Sequence, residues 1–464
     1  MIPDGAEEGA SPSGTASTWP IPPRGSGSGG HGPTPFSVSG SFRRLVTVEA
    51  DDRDPPPDGR EGSWLACVEC GTTFPPFAAV RYRCDECSGL LEVRYADPPT
   101  FEDFRGRGRG VWRYAPALPL ESGVSLPEGD TPLHRVPDIR EELDLRALRV
   151  KHEGMNPTGS FKDRGMTVGV AVARRVGVDR LACASTGNTS AALAAYGARA
   201  NMETLVLLPA GKVAAGKVAQ AALHGARILE VDGNFDTCLD VVDDLATRGE
   251  AYLLNSLNPF RLEGQKTIGL EILESFREEY GTVPDRIVLP VGNAGNTAAL
   301  YKCFRELAAA GALDPDDVPT LTGVQAEGAA PFVEAVEAAA DEVRRWPEVE
   351  TRATAIRIGN PVNAPKALPG IYETGGTAVA VSDEEITAAQ RSLAAEGVGV
   401  EPASAASVAG LRRLREDGVV GADERVVCLT TGHLLKDPDA AAAAGADTEP
   451  VPGTTEGVLD HLKG

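Results

Sequence analysis

From residue 130 onwards, short apolar runs alternate with alanine-rich stretches at helical spacing, and few folds accept that pattern. The runs 148–150, 181–184, 205–208 and 287–291 are of strand length and mostly apolar, so they read as strands buried on both faces. Between such runs, 167–176, 190–200 and 297–310 read as helices. Strands alternating with helices give an α/β fold whose parallel sheets are covered on both faces. No repeat of solenoid period is present.

Composition divides the rest of the 464 residues. Residues 1–60 are rich in Gly, Ser, Pro and acid, which is too little apolar surface to offset ordering, and we expect a disordered tail. Residues 61–95 form a compact cysteine-bearing unit. Arg105 to Gly110 (RGRGRG) reads as a flexible linker, with RNA contact as the other reading. Residues 441–464 are expected to be a C-terminal tail. The net charge of -22 opposes binding to a phosphate backbone. Only nine of the basic residues are Lys. That bias suits either a salt-rich cytoplasm, the setting of an acidic proteome, or a GC-rich genome, and both explanations stand. No apolar run approaches the ~20 residues of a membrane span. No basic-then-apolar leader opens the chain, so a cytoplasmic location is expected.

Four polar segments sit at strand–helix junctions. The first is Glu153-Gly154-Met155-Asn156-Pro157-Thr158-Gly159-Ser160-Phe161-Lys162-Asp163-Arg164-Gly165. A turn there leads into a helix expected to start near Ser160, its N-cap, so Lys162 falls in the first turn. A lysine so placed is either a partly desolvated nucleophile or an ordinary solvated helix-start residue. The second, Ser185-Thr186-Gly187-Asn188-Thr189-Ser190, offers donors to an anion such as a carboxylate, or caps a helix. The third, Pro290-Val291-Gly292-Asn293-Ala294-Gly295-Asn296-Thr297, allows close approach of a phosphate, or is a tight turn; it lacks the Lys-Ser/Thr of a nucleotide P-loop. The fourth, Asn255-Ser256-Leu257-Asn258-Pro259-Phe260-Arg261, followed by Glu263-Gly264-Gln265-Lys266-Thr267, could grip a second phosphate, or is a polar loop with a surface Arg.

Together these motifs resemble threonine synthase, in the fold-type II pyridoxal-phosphate (PLP) family with tryptophan synthase β and the serine/threonine dehydratases. The resemblance runs from Gly129-Asp130-Thr131-Pro132-Leu133 to Thr431-Gly432-His433 and includes TAIRIGNP ending at Pro361 and EPASAA from Glu401. It covers about residues 110–440, and the GSFKDRGM form favours threonine synthase. It implies two open parallel-sheet α/β subdomains, the smaller at roughly 160–255, and a homodimer.

The resemblance also implies roles. Lys162 matches the Schiff-base lysine, Asn188 the partner of the cofactor's phenolic oxygen, and Gly292, Asn293, Ala294, Gly295 and Asn296 the cofactor-phosphate loop. Thr431 matches the hydroxyl facing the pyridine nitrogen. Ser185, Thr186 and Thr189 match the substrate-carboxylate grip, and Asn255, Ser256 and Arg261 the donors to substrate phosphate. The implied reaction turns O-phospho-L-homoserine and water into L-threonine and phosphate. Close alternatives are a cysteate synthase using phosphoserine and sulfite, or a serine/threonine dehydratase. A more remote one is a zinc-ribbon interaction protein on an inactive scaffold. Leu434 departs from the family, which usually has Gly after the TGH stretch.

Cys67-x-x-Cys70 and Cys84-x-x-Cys87, thirteen residues apart, supply four thiolates for a structural Zn²⁺, against a redox pair or an empty relic. The segment 73–82 is expected to form the ribbon's hairpin. A structural or subunit-contact role is favoured for the unit. Cys183, Cys238, Cys303 and Cys428 read as small core residues.

Overall fold

The protein is described by a computed structural model for residues 60, 62–211, 215–440 and 449–463. The tail expected over 1–60 lies outside the described residues except for Arg60, as do 441–448 of the C-terminal tail. Within that second tail, Thr455–His461 forms a short helix capped by Thr454.

Three sheets carry the chain. The cysteine unit is a small antiparallel sheet of β1 (Ser63–Cys67), β2 (Thr73–Phe74) and β3 (Leu91–Tyr95), in the order β2-β1-β3. The main pairing is thus β1 with β3, and the expected hairpin over 73–82 does not form. Only Thr73 and Phe74 pair, because the residues beyond turn away to pack their aromatic rings elsewhere.

The large sheet contains β4 (Leu133–Arg135), β5 (Ala147–His152), β10 (Arg286–Pro290), β11 (Thr320–Ala326), β12 (Thr377–Val381) and β13 (Arg425–Thr430). Its order is β12-β11-β10-β13-β5-β4, parallel except for the edge strand β4. The smaller sheet is fully parallel, in the order β8-β7-β6-β9, from β6 (Arg180–Ala184), β7 (Glu203–Pro209), β8 (Arg227–Val231) and β9 (Tyr252–Leu253). The strands expected from apolar runs all fall in these two sheets. Both are open, so each presents a carboxyl edge where ligands bind in α/β folds.

In chain order the helices are α1 (Pro137–Glu142), α2 (Lys162–Arg175), α3 (Asn188–Arg199), α4 (Ala215–Leu223), α5 (Phe235–Thr247) and α6 (Pro259–Tyr280). Then come α7 (Gly295–Ala309), α8 (Pro331–Glu337), α9 (Ala364–Glu373), α10 (Asp383–Ala395) and α11 (Pro402–Glu416). Apolar residues of α6, α7 and α9 form one core with β10 and β11, while α10 and α11 form another with β5 and β13. Helix α6 is the hub. It starts with Asn258 as N-cap and Pro259 at the first position, and ends at Gly281 in the left-handed conformation. It crosses α2 at backbone contact, and a Cβ on Gly264 would stand 1.7 Å from the Arg164 carbonyl oxygen. Only glycine permits that approach, which draws the helix that leads into the small sheet against α6.

Candidate active site

The segment before α2 is stitched to the end of β13. The Phe161 N–H donates to Thr431 O at 3.0 Å, and the His433 N–H to Gly159 O at 2.9 Å. This pairing extends the backbone through Ser160, so α2 begins at Lys162, and Ser160 is not its N-cap. Ser160 Oγ is buried without a partner. Asp163 steadies the turn instead, accepting from the Thr158 N–H at 2.7 Å and from the Thr158 hydroxyl. Burial lifts the Asp163 carboxyl to about 7 against those hydrogen bonds.

Lys162, the first residue of α2, points its Nζ over the Phe161 ring at 4.0 Å. Among the described residues, no carboxylate reaches ion-pair distance of that amine. Burial, and next the Arg261 cation, lower it to about 7, while Glu401 acts in the opposite sense. A lysine near neutral at pH 7 is a competent base and nucleophile.

Glu401 precedes the first residue of α11 and is buried. Burial raises its carboxyl, while a hydrogen bond from Asn188, Lys436 and Lys162 hold it down. The Asn188 Nδ2 donates to both carboxylate oxygens at 3.1 Å, which ties the start of α3 to the start of α11. Gly432 makes room, since a Cβ there would stand 2.4 Å from Glu401 Oε1. Thr431 is fixed from behind, its hydroxyl 2.9 Å from Ser404 Oγ, which also accepts the N–H groups of Thr431 and Gly432.

The third segment opens α7. Ala294 holds the left-handed conformation (φ 58°), and Gly295, Asn296 and Thr297 form the first turn, whose N–H groups have no partner within the helix. The Thr297 hydroxyl and Asn296 Oδ1 are buried and unpaired. Asn363 braces this loop. Its N–H donates to Asn293 O at 3.0 Å and its Nδ2 to Ser256 O at 3.0 Å.

The fourth segment splits. Asn255 turns to the backbone of Ala184, accepting its N–H at 3.0 Å and donating to its carbonyl at 2.9 Å. It thereby links the ends of β9 and β6. Ser256 is half-buried. Arg261 is only 1 % exposed, and among the described residues none of its three guanidinium nitrogens has a partner. Burial lowers it to about 10, in part offset by Cys183. The second segment is half-buried through Ser185, Thr186, Asn188 and Thr189, with Ser185 Oγ accepting the Gly187 N–H at 3.2 Å.

Behind Lys162 lies a network that the motifs did not disclose. Arg164 is fully buried and donates to Glu153 through Nε (2.6 Å) and Nη2 (2.8 Å), and to Glu271 through Nη1 (2.6 Å) and Nη2 (2.7 Å). Lys151 Nζ adds 2.6 Å to Glu271. Burial alone would raise the Glu271 carboxyl, but Arg164 and Lys151 hold it well below the usual range. The only advance signal was Glu153 and Arg164 within one motif; Glu271 lies over a hundred residues on.

In the cysteine unit, the Sγ atoms of Cys67, Cys70, Cys84 and Cys87 lie within 4.8 Å of one another. Close pairs are 3.5 Å (Cys67–Cys87), 3.6 Å (Cys70–Cys84) and 3.4 Å (Cys70–Cys87). Those separations far exceed a disulfide bond of about 2.05 Å. They approach the edge of about 3.8 Å that follows from tetrahedral Zn–S bonds of ~2.3 Å.

The buried Lys162 amine opens α2, and N–H groups without partners in their own helix open α7, each helix following a strand of the large sheet. The family model described as "Pyridoxal-phosphate dependent enzyme" matches residues 124–432. The chain is 56% identical over 379 residues to the threonine synthase of Methanosarcina acetivorans, covering 81% of this chain and 92% of that one. To the threonine synthase of Methanocaldococcus jannaschii it is 54% identical, over 82% of this chain and 95% of the relative. The chain belongs to the threonine synthase family of pyridoxal-phosphate-dependent enzymes. Among solved structures, diaminopropionate ammonia lyase of Escherichia coli superposes with a TM-score of 0.60 at 14% identity, over 75% of this chain and 94% of that one. Maize serine racemase gives 0.58 at 19%, over 72% and 92%. These two show the shared fold.

Proposed function

We propose that the protein converts O-phospho-L-homoserine and water to L-threonine and phosphate with pyridoxal phosphate as cofactor. The observation that carries this reading is Arg261, a buried guanidinium without a partner among the described residues, whose charge acts on the Lys162 amine. An enzyme with two phosphorylated ligands needs two anion grips, and the α7 loop and Arg261 would supply them. The identity to threonine synthases supports the same reading.

The residues fit the cofactor. Lys162 would hold its aldehyde carbon, and Gly292, Asn293, Ala294, Gly295 and Asn296, with the free N–H groups of α7, would hold its phosphate. Asn188 would meet its phenolic oxygen and Thr431 its ring nitrogen. When bound, pyridoxal phosphate supplies an electron sink for charge developing at the substrate's α carbon. Ser185, Thr186 and Thr189 would orient the substrate carboxylate. Arg261, with Ser256, would hold the γ-phosphate and stabilise its departing charge. Asn255 would serve this grip by fixing the loop, since its amide is spent on Ala184. The Lys162 amine would take the proton from the α carbon and then from the β carbon. Phosphate would leave from the γ carbon with the bonding electron pair, the two protons taken would return at the γ and α carbons, and water would add its oxygen at the β carbon, its remaining proton leaving with the phosphate.

For the cysteine unit we propose a structural Zn²⁺ held by all four thiolates, with no open coordination position. Less than ~0.1 equivalent of zinc in purified protein would count against four-thiolate binding, which expects about one.

To test the reaction, purified protein would be incubated with pyridoxal phosphate and O-phospho-L-homoserine, and threonine and phosphate quantified together. Equal amounts of both are expected. Neither product from a protein that retains cofactor absorbance would sink the assignment.

A further inference from the structure

The cysteine unit is packed as part of the catalytic core. Cys67, Cys84, Leu91 and Val93 share one apolar cluster with Met166 and Val168 of α2, Tyr252 of β9, and Phe260 of α6. Its strand β3 is pinned from the other side. Tyr95 Oη donates to Glu263 of α6 at 2.6 Å, Arg305 Nη2 lies 3.0 Å from both Glu92 oxygens, and Lys366 Nζ donates to Leu91 O.

The segment between Cys70 and Cys84 reaches the chain that leads from β9 into α6. Beyond Thr73 and Phe74 it has almost no regular pairing, so its course is set by the cysteines at its ends. It delivers two aromatic rings. Phe77 stacks on Phe260 at 5.8 Å and 18°, with the Arg175 guanidinium 5.5 Å from the same ring. Tyr82 packs against Tyr252 at 5.8 Å, and its hydroxyl accepts the Leu253 N–H at 2.7 Å. β9 is the edge of the small sheet. The Leu254 N–H points inward to Ala182 O, so that of Leu253 points outward, where a further strand would bond it. Tyr82 takes the place of that strand. The residues so held, Tyr252 to Phe260, carry the Asn255 latch and end one position before Arg261.

We infer that the four-cysteine unit is a positioning element of the substrate-phosphate grip: its bound metal fixes the Cys70–Cys84 segment, and Phe77 and Tyr82 hold the chain that presents Arg261. Metal occupancy thereby governs affinity for the phosphorylated substrate. The inference rests on the proposed roles of the four thiolates and of Arg261. Phe77 and Tyr82 are positioning residues, since they act through Phe260 and the Leu253 N–H.

The test uses holoenzyme in three forms: zinc-replete, zinc-stripped with a chelator and then reloaded, and zinc-replete Tyr82→Phe. Amide exchange over 252–262 is read beside steady-state kinetics. On stripping, exchange at Leu253 and through 252–262 should accelerate while 286–310 stays protected. KM for O-phospho-L-homoserine should rise roughly tenfold with kcat nearly unchanged, as expected when ground-state binding is lost. Reloading zinc should restore both. Tyr82→Phe, which keeps the metal, should raise KM by about two- to fivefold, the lower part of the range of one hydrogen bond. Unchanged exchange over 252–262 in the stripped enzyme would overturn the inference, as would a fall in kcat alone. If the replete enzyme does not turn over the substrate, the proposed reaction fails, and the exchange data still decide whether the metal holds this segment.

Discussion

Two arginines are buried equally deeply in this protein and are treated in opposite ways. Arg164 is enclosed by carboxylates, with four short contacts to Glu153 and Glu271. Arg261, across the α2–α6 contact, has none. Taking a guanidinium out of water costs several kcal/mol, and a paired site offsets that within the fold. Arg164 is therefore explained by folding alone. Arg261 is not, and its cost is met only when an anion arrives. One arginine organises the platform under Lys162, and the other waits for a ligand. The largest effect should come from breaking the paired one. Arg164→Met leaves Glu153 buried without its cation and Glu271 with Lys151 alone, and chemical denaturation should show a loss of about 3–5 kcal/mol.

Arg261→Met should do the reverse. It removes an uncompensated charge, so the same denaturation measurement should show no loss of stability. Its kcat/KM for the phosphorylated substrate should fall about 100-fold, the scale of a lost charge-assisted grip on phosphate. A variant equally damaged in stability and activity would erase the distinction between the two arginines.

A smaller effect follows from charge at Lys162. The amine is protonated below about 7 and neutral above it. Capture of pyridoxal phosphate by the cofactor-free protein should therefore accelerate as pH rises through about 7. Arg261 helps to hold that value down, so Arg261→Met should move the midpoint up. Glu401 acts in the opposite sense, so Glu401→Gln should move it down. Stopped-flow capture rates across pH would read both shifts. A midpoint that ignores both substitutions would separate Lys162 from these charges.

The contrast between the arginines also marks what the sequence disclosed. Strands read from apolar runs, such as 287–291 and 205–208, were legible because a strand buried on both faces has no polar alternation to obscure it. The polar segments at strand ends were legible because a helix start needs small, hydrogen-bonding residues. Direction was not legible. Asn255 and Arg261 sit six residues apart in one polar motif, yet one side chain closes on Ala184 O and the other enters the core unpaired. Pairing across the chain was equally hidden. Asn188 meets Glu401, and Arg164 meets Glu271, through contacts that only the closed fold creates. Ser160 failed as a cap for the same reason, because Gly432, two residues beyond β13, claims its backbone. In the cysteine unit the spacing identified the four thiols, but the loop between them pairs with the catalytic core rather than with itself.

The most direct test of the unpaired arginine is a titration of cofactor-loaded protein with inorganic phosphate, read as thermal stability, for wild type and Arg261→Met. With the α7 loop filled by the cofactor, phosphate has only the second grip to occupy. Wild type should gain stability with rising phosphate and Arg261→Met should gain none. Equal gains in the two proteins would contradict the assignment of Arg261 as the substrate-phosphate site.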